Sequence, residues 1–162
     1  MTERIVVLEL ARLEAAHLTD LVEQFAELLA DSTVADPAVA RLVPDAYRDD
    51  AEAAAEFRSV TQGDLLERRV ADTRTVRDTL LVDGARLAVT AIDESSATDV
   101  LTLPLDEGQA AAWLRTLAAL RLVLAARLGI TEDDDHDDGD PRFGVYDWLG
   151  FRLDGLLRAL DD

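Results

Sequence analysis

The stretch from Asp106 to Ile130, DEGQAAAWLRTLAALRLVLAARLGI, constrains the fold more than any other part of the chain. At the helical period Trp113, Leu117, Leu120, Leu124 and Leu128 fall on one narrow stripe, and Leu114, Ala118, Leu122 and Ala125 fill the far side. No face is polar, and a helix that is apolar all round belongs inside a domain with other helices packed about it. Both ends are marked. Asp106 is a good N-cap, Gln109 completes a capping box, and Gly129 stands at the usual left-handed stop. A membrane span is excluded by magnitude: the eight large aliphatics contribute roughly −4 kcal/mol to insertion, while the arginines cost roughly +8 kcal/mol.

Those arginines set a second constraint. Arg115, Arg121 and Arg127 are six residues apart, which separates them by about 120° around the axis. They cannot share one wet face, so at least one is expected to be largely buried. A guanidinium out of water needs a carboxylate and further acceptors, and its planar fork suits bidentate pairing. The expected partners are Asp45 in PDAYRDD and Asp147 in YDWLG, in pairs that fix how the outer helices dock. The alternative is an arginine held ready for an anionic ligand.

Before this helix, residues 4–10, RIVVLEL, read as a strand and 12–30 as a helix with Leu18, Leu21, Phe25 and Leu28 inward and His17 at the stripe's edge. Residues 31–44 read as a connection. Asp49 or Asp50 caps a short Ala-rich helix to about Ser59, and the capping-box pattern at Thr61–Asp64 starts another to about Leu81. In that helix Leu66, Val70, Val76 and Leu80 form the inner stripe, while Asp64–Arg68, Arg68–Asp72 and Arg74–Asp78 are pairs on the wet side. After a turn at Asp83–Gly84, ARLAVTAI and DVLTLPL read as the two strands of a hairpin joined by DESSAT. AHLTDL (16–21) and AWLRTL (112–117) echo one another, each opening a helix behind a strand, as a duplicated strand–helix unit would.

Beyond the central helix, TEDDDHDDGDP (131–141) reads as a solvated acidic loop, and a terminal helix runs over roughly 142–160. That helix has two apolar sides. Tyr146, Leu149, Leu153, Leu156 and Leu160 lie on one, and Gly144, Trp148, Phe151, Gly155 and Ala159 on the other, where small residues permit close helix approach. If the second side meets a partner or a second copy, Trp148 and Phe151 are its anchors. The expected fold is mainly α (α+β): a single helical domain over 1–162, about five helices around 106–129, and a small sheet of two or three short strands.

Chemistry is sparse. The chain has 34 acidic residues against 16 basic ones, a net charge of −18, no Cys and two His. Every basic residue is Arg. Nucleic acid and anionic membrane both need clustered positive charge, so neither is an expected partner. No phosphate loop, dinucleotide fingerprint, nucleophile elbow or zinc-protease helix occurs. In the acidic loop Asp134, Asp138 and Gly139 fit calcium-loop positions, but His136 and Val145 occupy ligand positions that must be oxygen donors. No metal and no cofactor is therefore expected. Glu23/Glu27 and Glu52/Glu56, each pair one turn apart, leave a carboxylate- and Mg²⁺-dependent helical hydrolase as the alternative to a non-enzymatic protein.

The blocks 42–80, 106–133 and YDWLGFRLDGLLRAL (146–160) resemble an uncharacterised actinobacterial family, domain of unknown function twenty-seventeen. PDAYRDD and YDWLG are the most specific pieces, and ARLAVTAI falls outside the pattern. The resemblance implies a cytoplasmic protein whose gene often neighbours that of the Clp-protease adaptor, hence a connection to protein turnover. It brings no catalytic residue. The expected function is an interaction or regulatory protein, non-enzymatic, with a protein partner or as a homodimer.

Overall fold

The computed structural model describes residues 4–31, 51–129 and 143–161, with the backbone alone for 31 and 51–64. The elements are β1 (Val6–Ala11), α1 (Arg12–Asp31), α2 (Ala51–Thr79), a single 3₁₀ turn (Val89–Ala91), β2 (Val100–Leu105), α3 (Glu107–Leu128) and α4 (Gly144–Asp161). Four α-helices and one two-stranded antiparallel sheet are present among the described residues. Asp45, the 31–44 connection beyond Asp31, the caps at Asp49 and Asp50, and the acidic loop 131–141 lie outside them.

The central helix is α3, which packs against α2, α4 and α1. Its capping box closes as the sequence requires. The Asp106 carboxylate accepts from the Gln109 N–H at 2.8 Å, and the Gln109 side chain accepts from the Asp106 N–H at 3.0 Å. Gly129 ends the helix in the left-handed region at φ 76°. Trp113, Leu117 and Leu120 are buried, and so are Ala112, Ala119 and Val123 on other faces. The helix is not enclosed completely: Leu122 and Arg115 reach solvent. Trp113 is almost fully buried and donates its indole N–H to Thr79 Oγ1 at 2.9 Å, tying α3 to the end of α2.

Two expectations about local structure are overturned. The break near residues 60–64 does not occur, because α2 is continuous from Ala51 to Thr79. Thr61–Asp64 matches a cap only if the chain leaves the helix there, and no proline forces it to. Gly63 in a helix interior costs only about 1 kcal/mol relative to alanine. This is why four helices stand among the described residues where about five were expected.

The hairpin is also absent. Residues 85–92 form no strand, and β2 pairs with β1 instead, in the register Val6↔Leu105 through Ala11↔Val100. One face of the ladder carries Val6, Leu8 and Leu10 opposite Leu105, Leu103 and Leu101, packed into the core, while Val7, Glu9, Val100 and Thr102 are exposed on the other. A two-residue period identifies a strand and its buried face but not its partner. The turn between Val82 and Ala85 is correctly marked, with Asp83 and Gly84 both at positive φ, the backbone of a type I′ turn.

Each strand runs directly into a long helix, β1 into α1 and β2 into α3, as the internal echo suggests. On α1 the buried set is Ala15, Ala16, Leu18, Thr19, Val22, Phe25 and Leu29, while Leu21 and Leu28 are only partly covered and His17 is exposed. On α2 Val76 and Leu80 are buried, with Leu66 and Val70 packed against the same core. On α4 Tyr146, Leu149 and Leu156 face inward as expected.

Candidate functional site

The first turn of α1 and the first half of α4 meet at one carboxylate. Glu14 accepts from the Ala11 N–H at 3.0 Å, from Arg152 Nη2 at 2.8 Å to both oxygens, and from the Trp148 indole N–H. Arg152 also donates to the Glu9 carbonyl of β1 at 3.2 Å. The pair is half-buried, with side-chain exposures of 22% for Arg152 and 28% for Glu14. Burial by itself pushes the Glu14 carboxyl up. The hydrogen bonds from Arg152, Ala11 and Trp148, with the Arg152 charge, outweigh it and hold the carboxyl below its ordinary value.

A groove of about 460 Å³ opens beside this junction, between α1 and the start of α4. Leu21, Val145 and Trp148 supply apolar walls, and His17, Asp20 and Gln24 stand along α1. Trp148 is half-buried and fixed by its bond to Glu14, whereas Phe151 one turn further on is 68% exposed. The Arg152 guanidinium lies 5.6 Å from the Phe151 ring centre and 5.9 Å from that of Trp148, within cation–π range. The two expected anchors thus differ. Trp148 belongs to the α1–α4 junction and shows one side to the groove, while Phe151 projects into solvent.

The second apolar side of α4 is not lined by tight glycines. A Cβ at Gly144 or Gly155 would meet nothing within 4 Å. The close approach is at Gly150, where a Cβ would stand 2.9 Å from Arg121 Nη2. Arg121 lies 4.1 Å above the Tyr146 ring and its Nε is 3.4 Å from the Tyr146 carbonyl. The YDWLG block therefore reads physically: Tyr146 carries Arg121, Trp148 reaches Glu14, Leu149 fills the core and Gly150 leaves room for the guanidinium.

None of the three α3 arginines is buried. Arg115 and Arg127 are exposed and Arg121 is intermediate. Arg115 is bidentate to Asp72 of α2, at 2.8 and 2.9 Å, with side-chain exposures of 55% and 14%. Asp72 thus serves the α2–α3 contact, not the ladder with Arg68. Arg127 and Asp147 both take part in further interactions.

The carboxylates that would suit a metal are arranged otherwise. Glu23 accepts from Arg86 Nε at 2.7 Å, and Asp20 accepts from Arg86 Nη2. Among the described residues no three Asp, Glu or His side chains converge to hold an ion. Sequence reading missed the Glu14–Arg152–Trp148 junction. The available signal was Glu14 at the third position of α1, where a capping-box acid belongs.

These features define a mainly helical protein with a two-stranded antiparallel sheet, and no described helix is long and apolar enough to cross a membrane. The chain belongs to the family Domain of unknown function (DUF2017), whose model matches residues 1–160, including the 85–92 stretch expected to fall outside it. No curated protein and no solved structure matches the chain.

Proposed function

We propose that this chain is a non-enzymatic interaction protein of the cytoplasm that receives an apolar side chain of a basic protein partner in the groove beside Trp148. The observation that carries the reading is the groove itself. Leu21, Val145 and Trp148 leave apolar surface open in a cleft whose aromatic wall donates one hydrogen bond to Glu14, a carboxylate fixed in turn by Ala11 and Arg152. A preorganised aromatic anchor beside exposed Val145 and Phe151 is what interface centres use. Glu14 and Asp20 at the rim are paired with Arg152 and Arg86, so the whole-molecule charge of −18 provides the steering and favours a basic partner over a second copy. We extend this reading to protein turnover on the gene neighbourhood that the resemblance implies. The carboxylate-dependent hydrolase has less support, because Glu23 is engaged by Arg86.

The test is quantitative affinity capture from native cytosol with the wild-type chain and with Val145→Asp, beside sedimentation of both. The expected result is a set of basic proteins retained by the wild type and lost by the folded variant. Identical captured sets would remove the groove as the docking site, and a dimer dissolved by Val145→Asp would reassign it to a second copy.

A further inference from the structure

A second groove, of about 320 Å³, lies between α1 and the end of α2, on another side of α1 from Trp148. Arg74 and Arg77, one turn apart on α2, line it together with Arg86. In a chain with two acids for every arginine, exposed arginines are expected to find carboxylates. Arg86 does so, bridging Asp20 and Glu23. Arg74 and Arg77 have no hydrogen-bond or ion-pair partner among the described residues, although Glu27 lines the same groove. The Arg86 bridge occupies Glu23, which lines the same groove, and pins the segment after α2 against α1. The floor is aliphatic, made by Val22, Ala26 and Leu81.

We propose that this groove binds a carboxylate carried on an aliphatic body, the oxyanion held by Arg74 and Arg77 and the body lying on Val22, Ala26 and Leu81. Two guanidinium forks give bidentate donors to a planar carboxylate. The singly charged group is favoured over a phosphate dianion, because Glu27 and the net charge of −18 oppose each added negative charge. The carboxylate can belong to a small free acid or to the C-terminus of a peptide. Glu27 tunes the site: its charge weakens a plain acid, and an ammonium group on the ligand relieves that cost.

The experiment follows the Arg74 and Arg77 Nε–Hε resonances of the full chain during titration with isocaproate, with uncharged isocaproamide, and with leucine-terminated peptides in free-acid and amidated forms. Saturable shifts with isocaproate and none with the amides are expected. Arg77→Gln and Arg74→Gln, both at exposed positions, should each weaken binding roughly tenfold, the loss of one charge-assisted contact. Glu27→Gln should tighten it about threefold. A free-acid peptide that outcompetes isocaproate identifies the ligand as a peptide C-terminus, and equal affinities identify a free acid. Shifts that fail to saturate, that appear equally with isocaproamide, or that survive unchanged in both arginine variants overturn the proposal.

Discussion

The two strand–helix units start their helices in opposite ways. At α3 both cap hydrogen bonds are local, running between Asp106 and Gln109. At α1 the residue in front of the helix is Ala11, which has no side-chain acceptor. Its N–H goes to Glu14, and the next two donors go to distant carbonyls, Arg12 N–H to Asp99 at 2.8 Å and Leu13 N–H to Ala97 at 3.0 Å. Glu14 then reaches out to Arg152 and Trp148. One helix start is therefore self-sufficient, and the other is assembled from the loop before β2 and from α4. A local cap adds to its own helix, whereas a shared one couples three parts of the chain and makes the loss of any of them cooperative.

That contrast is most exposed to test at Glu14. Glu14→Ala leaves the half-buried Arg152 and Trp148 without their acceptor, and it should lower unfolding free energy by about 2 kcal/mol, measured by denaturant titration. If the loss is no larger than that of an ordinary helix cap, the junction is not coupled.

The milder Glu14→Gln removes the charge and leaves a single acceptor oxygen, where the carboxylate serves the Ala11 N–H at Oε1 and the Trp148 N–H at Oε2. The Glu14 carboxyl is held below its ordinary value in the folded chain, so on acidification the unfolded chain takes up that proton first. Its contribution to stability is complete above the unfolded value of about 4.3 and is lost as pH falls through the folded one. The stability difference between wild type and Glu14→Gln should therefore shrink below about pH 4. A difference that stays constant across that window would show that the Glu14 charge is not what Arg152 recognises.

Asp106→Ala should cost about 1 kcal/mol, the usual worth of one N-cap, and the amides of the first α3 turn should exchange faster with no change in the α4 resonances. Changes spreading into α4 would mean that the two helix starts are alike after all. The smallest effect is expected for Ala11→Asp. An uncapped helix would gain about 1 kcal/mol from a new acceptor. Here the first donors are already met by Asp99 and Ala97, so the midpoint of unfolding should change by less than about 0.5 kcal/mol equivalent.

The same distinction decides what could be read from the sequence. The α3 box, its Gly129 stop and the Asp83–Gly84 turn are set by residues within a few positions of one another, and all were legible. So was the buried side of α4, since periodicity marks a face without naming its neighbour. The pairing of β2 with β1 in place of residues 85–92 was not legible, because both candidates are apolar and alternation carries no address. Nor were Asp72 as the partner of Arg115, Gly150 as the space for Arg121, or Arg152 as the partner of Glu14. Each joins residues far apart in the chain, and an arginine's long side chain reaches many carboxylates on a surface so rich in them.

The β1–β2 ladder has a consequence for synthesis on the ribosome. β1 is made well before the strand that completes it, which lies at residues 100–105. At ordinary elongation rates that is a delay on the order of ten seconds. Over that interval Val6, Leu8 and Leu10 have no native partner strand, and the carbonyls of Ala97 and Asp99 that receive the first α1 donors do not yet exist. The emerging chain must hold an apolar, unpaired edge in waiting. Slower translation before residue 100 should lengthen its contact with nascent-chain chaperones, whereas a circular permutant that opens at the exposed Asp83–Gly84 turn, between the two strands, and so places β2 ahead of β1 should shorten it.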